Sequence, residues 1–366
     1  MAKRLRSGYT TGACAAAAAK GATQALLSGQ ALATVEIPLP DASRVEFALC
    51  RCVVAEQWAL ASVVKDAGDD LDVTNGAEIV ATARRLDNHR ITGNCVPVKN
   101  DKRLIICGGQ GVGTVTKPGL AVPVGEPAIN PVPRRMIQEA VTEALDQENV
   151  TDRFEIVISV PAGEELAKKT LNQRLGIVSG LSILGTTGIV HPVSAAAWTA
   201  TIEASMAVAR AAGITEVVLS TGRTSERGAQ QLLALPEEAY AMMGDYLEFS
   251  LRAAARQGFK KIHLAGMWAK VMKAAMGIPQ THVRHGALEA AEAVRFLGTL
   301  GVQAEVLANL AGVNTAREIY TRLTGMDRQD IIAAVCGAAK EFAEQTSGLL
   351  VSVYLVEANT KVVANV

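Results

Sequence analysis

The stretch VKDAGDDLDVTNG (64–76) sets Lys65 among Asp66, Asp69, Asp70 and Asp72. Carboxylates at this spacing accept protons, orient polar ligands or hold a cation, although the glutamate and spacing of an EF-hand are absent. A turn rich in Asx caps accounts for the same residues. In GEPAINPVPRR (125–135), Glu126, Asn130, Arg134 and Arg135 stand around three prolines. Paired arginines on a rigid segment suit carboxylates through bidentate contacts, or are surface arginines at a helix start. GLSILGTTGIVHPVS (180–194) carries Thr186, Thr187 and Gly188 shortly before His191, a histidine with either a structural or a proton-accepting part to play. GYTTGACAAAAAKGA (8–22) runs Tyr9, Thr10, Thr11 and Gly12 into an alanine run. Alanine predicts a helix over 13–20, capped by a threonine, with N–H groups left to attract an anion. Close approach of another element to the small side chains is the alternative use of that run.

These residues need elements to hold them. The segments 34–40, 45–50, 78–86 and 103–109 read as strands, with β-branched residues and turn punctuation. Five prolines within 115–135 predict a non-helical segment, followed by a helix over 135–146. The character changes near residue 152. A strand at 154–160, a strand opening into a polar loop over 216–226, a strand–glycine–helix run over 261–275 and a strand at 304–310 alternate with helices at 194–212, 245–257 and 285–299. That alternation predicts a parallel, doubly wound sheet, so the domains are expected at 1–151 and 152–366. Ligands of open parallel sheets sit at the strand carboxyl ends. Two loops occupy such positions, STGRTSE (220–226) and AGMWAK (265–270). The glycine-rich GGQGVGTVTKPG (108–119) is no dinucleotide loop, because β-branched residues and a proline follow where a helix must open.

Composition narrows the classes. The 36 basic residues balance 36 acidic ones, so no global field recruits nucleic acid or a membrane, and an anionic ligand needs local partners. No stretch approaches the roughly 20 apolar residues of a membrane span. The six cysteines lack zinc-like spacing, and no leucine-rich signal segment follows the basic start; a reduced, cytoplasmic protein is expected.

Five ordered blocks carry a resemblance: RSGYTTGACAAAAAKGA, VKDAGDDLDVTNGAEI, GGQGVGTVTKPGL, VGEPAINPVPRRMI and GIVSGLSILGTTGIVHPVS. Together they resemble the cobalt-precorrin-5B C(1)-methyltransferase (CbiD) family. The resemblance implies an α+β first domain like the ribosomal S5 domain 2 type and a Rossmann-like parallel α/β second domain. It implies methyl transfer from S-adenosyl-L-methionine to C-1 of cobalt-precorrin-5B, giving cobalt-precorrin-6A in anaerobic cobalamin biosynthesis. Leu71 and Gln110 depart from the family pattern, which has proline and glutamate there. Catalysis is expected from Asp66, Asp70 and His191. Substrate contacts are expected from Tyr9, Thr10, Thr11, Gly12, Glu126, Asn130, Arg134 and Arg135. Cofactor contacts are expected from Thr186, Thr187, Gly188, Ser220, Thr221, Gly222, Arg223 and Gly266. Cobalt would arrive with the substrate, so no metal site of the protein's own is expected; homo-oligomerisation stays open. A non-catalytic tetrapyrrole carrier and a nicotinamide-dependent reductase are the competing readings.

Overall fold

The computed structural model describes residues 5–86, 94–99, 101–192, 194–281 and 288–366. The chain forms two compact units, 1–194 and 195–366.

The first unit runs β1 (Gly8–Tyr9), α1 (Thr11–Ser28), β2 (Thr34–Pro38), β3 (Arg44–Ala48), β4 (Arg51–Val54), β5 (Trp58–Val64) and β6 (Glu78–Arg85). It continues through β7 (Asn94–Pro97), β8 (Leu104–Gly108), β9 (Thr114–Val115), α2 (Pro131–Gln147), β10 (Phe154–Ser159), α3 (Gly163–Ala167), β11 (Ile177–Val178) and β12 (Ile189–Val190). Six strands form one sheet in the order β4-β5-β6-β10-β8-β7, antiparallel except where β10 meets β8. The alternation that makes β6 and β10 strands turns Ile79, Ala81, Ala83, Phe154, Ile156 and Ile158 into the core with α1. Helix α1 packs on α2 and on the sheet, and residues 11–23 are all buried. A helix enclosed on every side must be apolar all round, and alanine lets the neighbours come close. At Gly21 a β-carbon would sit 2.9 Å from Leu49 Cδ1. Lys20 is the exception inside this helix. Its ammonium bonds Glu36 O (2.8 Å) and Glu143 Oε2 (3.1 Å).

Three expectations change here. The strand at 154–159 belongs to the first unit, so the break falls at 194/195 rather than near 152. The β8-α2-β10 crossover draws it back beside β8, and a buried apolar strand reads alike in either sheet. Helix α2 starts at Pro131, inside the segment expected to be non-helical. Its prolines fall in the first turn, where backbone N–H groups have no intrahelical acceptor. Cys95 and Cys107, opposite each other on β7 and β8, are joined in a disulfide, against the expected fully reduced state.

The second unit runs α4 (Ala195–Ala211), β13 (Glu216–Ser220), α5 (Arg223–Leu232), β14 (Tyr240–Met242), α6 (Leu247–Arg256), β15 (Lys261–Gly266) and α7 (Trp268–Ala275). Then follow α8 (Ala290–Thr299), α9 (Ala304–Asn309), α10 (Ala316–Gly325), α11 (Gln329–Ser347), β16 (Leu350–Val356) and β17 (Val362–Asn365). The sheet order is β14-β13-β15-β16-β17, the first four parallel and β17 antiparallel. Val218, Ala265 and Tyr354 pack with Ala229 of α5 on one face. Val217, Leu219, Ile262 and Leu264 pack with α4, α6, α7 and α11 on the other. The expected strand at 304–310 is instead α9. Val306 and Leu310 are buried four residues apart, a helical spacing, and Ala304, Glu305, Leu307 and Ala308 are good helix formers. Of the helix expected over 285–299, α8 covers 290–299, and 285–287 lie outside the described residues. The fold is mixed α/β. No helix among the described residues is long and apolar enough to cross a membrane.

Candidate functional site

In the first unit, residues 6–12 are laced between two loops. Tyr9 N donates to Asp66 O (2.7 Å), and Thr10 N donates to Gly188 O (3.0 Å). Gly8 lies so close to the aspartate loop that a β-carbon there would stand 2.2 Å from Ala67 C. Arg6 grips Asp66 with two guanidinium nitrogens, at 2.5 and 2.8 Å, and its backbone N–H donates to Asp69 (2.7 Å). The Arg6 guanidinium, helped by the Gly68 N–H, holds the Asp66 carboxyl down at about 2. Such a carboxylate stays charged and is a poor proton acceptor. His191 is exposed, with Nδ1 3.2 Å from Ser7 Oγ; Nε2 has no hydrogen-bond partner among the described residues.

The α1 N-terminus does not hold the free N–H groups that its sequence predicts. Thr10 Oγ1 accepts from Ala13 N (3.1 Å), and Gly12 N donates to Leu184 O (3.0 Å). Thr11 Oγ1 accepts from Leu184 N (2.9 Å) and lies 3.1 Å from Leu184 O. Both threonines are buried, so loop 184–188 takes the donors that a ligand would have used. Gly12 is small because Pro133 Cγ and Leu184 O would meet its β-carbon at 2.8 and 3.2 Å. Arg134 is likewise engaged, with Glu126 (2.6 Å), Ile129 O (2.6 Å) and Pro127 O (3.1 Å). Arg135 is exposed and pairs loosely with Glu139 (3.7 Å). Asn130 caps α2 without a side-chain bond, Thr186 and Thr187 are exposed, and Asp70 is half-buried. The exposed rim of this unit is therefore Arg6, Asp66, Thr186, Thr187, His191 and Arg135.

The glycine loop is a knot of backbone. Gly111 has φ +71, and β-carbons at Gly163 and Gly180 would stand 2.1 and 2.3 Å from Gly111 O. Its glycines serve close approach, leaving no cradle for a ligand.

In the second unit, the carboxyl ends of β13, β14 and β15 form a continuous edge. Thr221 N donates to Ala265 O (3.0 Å), while Met243 N and Gly244 N both donate to Ser220 O (2.9 and 3.2 Å). Gly222 begins α5 with open space where a β-carbon would project, and Arg223 is exposed. Gly266 packs against Val271 and Thr221. Ser220 is buried, its hydroxyl turned to Glu226 (3.3 Å). Three further residues join the edge. Trp198 is 45% exposed and rests on Gly244, its Nε1–H donating to Met243 O (3.2 Å). Lys270, in the first turn of α7, contacts Asp245 and donates to Thr281 (3.2 Å). Burial, and then the charge of Lys273, bring the Lys270 ammonium down to about 8.

Of the expected site residues, Asp66, Tyr9, Thr10, Gly188 and His191 come together in the first unit. Ser220, Thr221, Gly222, Arg223 and Gly266 come together in the second, so the expected cofactor set is divided between the units. Sequence reasoning missed Arg6, Ser7, Trp198, Asp245 and Lys270. Lys270 closes the flagged AGMWAK loop, and Arg6 opens the RSGYTTG block; Asp245 and Trp198 carry no local signal.

Fold and site define a mixed α/β protein of two units, each presenting a polar rim. The chain belongs to the CbiD family, whose pattern matches residues 1–192. Relatives named cobalt-precorrin-5B C(1)-methyltransferase span nearly its whole length. The protein from Desulfotalea psychrophila is 57% identical, over 98% of this chain and 97% of its own. That from Geotalea daltonii is 48% identical, over 93% and 92%, and that from Priestia megaterium 43% identical, over 91% and 88%. A crystal structure of the cobalamin biosynthesis protein (cbiD) from Archaeoglobus fulgidus is 28% identical, with a TM-score of 0.40, covering 72% of this chain and 77% of that one.

Proposed function

We propose that this chain is a cobalt-precorrin-5B C(1)-methyltransferase, taking its methyl group from S-adenosyl-L-methionine. The observation that carries this is the 57% identity over 98% of the chain to a relative of that name. A family motif alone would leave the second unit unaccounted for; likeness across both units does not.

Methyl transfer forms a carbon–carbon bond at C-1 and breaks the sulfonium–methyl bond, so S-adenosyl-L-homocysteine leaves. The barrier to such a displacement falls mostly through positioning. We assign the donor to the carboxyl edge of the second unit, at Ser220, Thr221, Gly222, Arg223 and Gly266. Parallel strands with helices on both faces support a Rossmann-like reading of that unit, where ligands take this edge. We read the first unit as the ribosomal S5 domain 2 type and assign the tetrapyrrole to its rim. Arg135 and Asn130 face its carboxylates, together with Tyr9, Thr186 and Thr187. Glu126, Arg134, Thr10, Thr11 and Gly12 act one step back, bracing the loops that carry these groups. His191 Nε2 accepts the proton that the macrocycle gives up, with Ser7 orienting the ring. Asp66 stays ionised beside it, and Asp70 completes the acidic loop. We assign the reaction to the cytoplasm.

Calorimetric titration with S-adenosyl-L-homocysteine tests the donor assignment, with one saturable site per chain expected. Anaerobic turnover of the macrocycle tests the activity, read as a product heavier by one methylene. Tetrapyrrole binding without methyl transfer would instead identify a carrier.

A further inference from the structure

Away from both rims, Cys95, Cys107 and Glu155 meet on the six-stranded sheet. Their ligand atoms lie within 4.8 Å of one another. Along β8 and β10 the core side chains are Leu104, Ile106, Phe154, Ile156 and Ile158, so Cys107 and Glu155 lie on the face turned away from α1. Glu155 is only 5% exposed. Its contacts among the described residues are Cys107 Sγ at 3.6 Å and the Arg84 guanidinium at 3.9 Å. A buried carboxylate needs a close donor or cation. Arg84 stands at the outer limit of an ion pair and a disulfide adds no donor, whereas two cysteine sulfurs holding a cation would bring one into contact.

We propose that the reduced pair Cys95 and Cys107, together with Glu155, binds one thiophilic divalent cation. The S–S bond opens when a cellular dithiol gives up two electrons and two protons and becomes a disulfide itself. The cation then displaces both thiol protons to solvent. Freed sulfurs can separate to suit metal–sulfur bonds of about 2.3 Å, while the carboxylate supplies a third bond and the fourth position stays open. Two thiolates and a carboxylate leave a net charge of minus one on a divalent site, and Arg84 stands beside it to offset that. Oxidation of the pair closes the site, so metal occupancy reports the thiol state.

The test uses the full chain, reduced with a phosphine, which leaves as its oxide after taking oxygen from water. Titration with cobalt(II) alone is followed by thiolate-to-cobalt charge-transfer absorption. One cobalt per chain is expected, lost when the disulfide is reformed and lost in Cys107→Ser. Cys95→Ser, at a less buried position, gives the same reading should the first variant fold poorly. Glu155→Gln weakens binding on the order of tenfold. The control pair Cys50→Ser and Cys52→Ser leaves the band unchanged. Absence of the band in the reduced protein overturns the proposal. So does a band that survives Cys107→Ser and Cys95→Ser, or one lost only with Cys50 and Cys52.

Discussion

The two rims use their polar groups in opposite ways. In the first unit nearly every polar atom of the GYTTG stretch is engaged by the protein itself: Thr10 with Ala13, Thr11 with Leu184, Tyr9 with Asp66. In the second, Gly222 opens onto free space, Arg223 and Trp198 are exposed, and the Lys270 ammonium is brought down to about 8. A motif rich in polar residues can thus be mostly architecture, while a sparse one stays open to solvent. Buried donors must be satisfied, and in the first unit loop 184–188 satisfies them.

Glycine substitution sharpens that contrast most. Gly8→Ala forces a β-carbon into the Ala67 backbone, so the first unit should lose more than about 4 kcal/mol or fail to fold. Gly222→Ala should shift stability by less than about 1 kcal/mol, since nothing stands in the way. Urea unfolding of both variants reads the difference, and equal losses would erase it.

His191→Gln should lower kcat by roughly 10²-fold or more with the melting temperature unchanged. If kcat holds, the proton goes elsewhere. A buried ion pair should then outweigh a surface one. Glu143→Gln leaves the Lys20 ammonium without its counter-charge, held only by Glu36 O, and should cost about 2 kcal/mol, below the fully buried range because Glu143 is partly exposed. Glu248→Gln, which loses the exposed pair with Arg252, should cost less than about 0.5 kcal/mol by the same denaturation measurement.

The smallest effects are those of pH; they occupy separate windows, and stability rises with pH through each. Asp66 is depressed to about 2, so its contribution is present above the unfolded carboxylate range and fades as pH falls toward 2. Asp66→Asn should flatten that part of the melting-temperature profile. Lys270, lowered to about 8, binds its proton less well folded than unfolded. Its contribution therefore improves as pH rises from about 8 toward the ordinary lysine range. Acylation of Lys270 should accelerate through pH 8, and S-adenosyl-L-homocysteine should protect it; a rise only near the usual lysine value would remove it from the edge.

Local chemistry alone determined much of this protein. Alanine at 15–19 favours a helix, Thr10 caps it, and the β-branched run at 78–85 makes a strand, as does the short apolar run at 261–266. The loops after β13 and β15 were legible as neighbours because a parallel sheet sends its carboxyl ends to one edge. Tertiary structure decided what depends on partners distant in sequence. Strand 154–159 joined the first sheet because β8 and β6 were there to bond it. Thr11 became a latch because Leu184 faced it, and AEVLANL became a helix because Val306, Leu307 and Leu310 all found one core. Cys95, Cys107 and Glu155 carry no motif that unites them. Hydrogen-bond ladders across the sheet bring them together, and ladder register is set by pairing between strands rather than by the residues within any one of them.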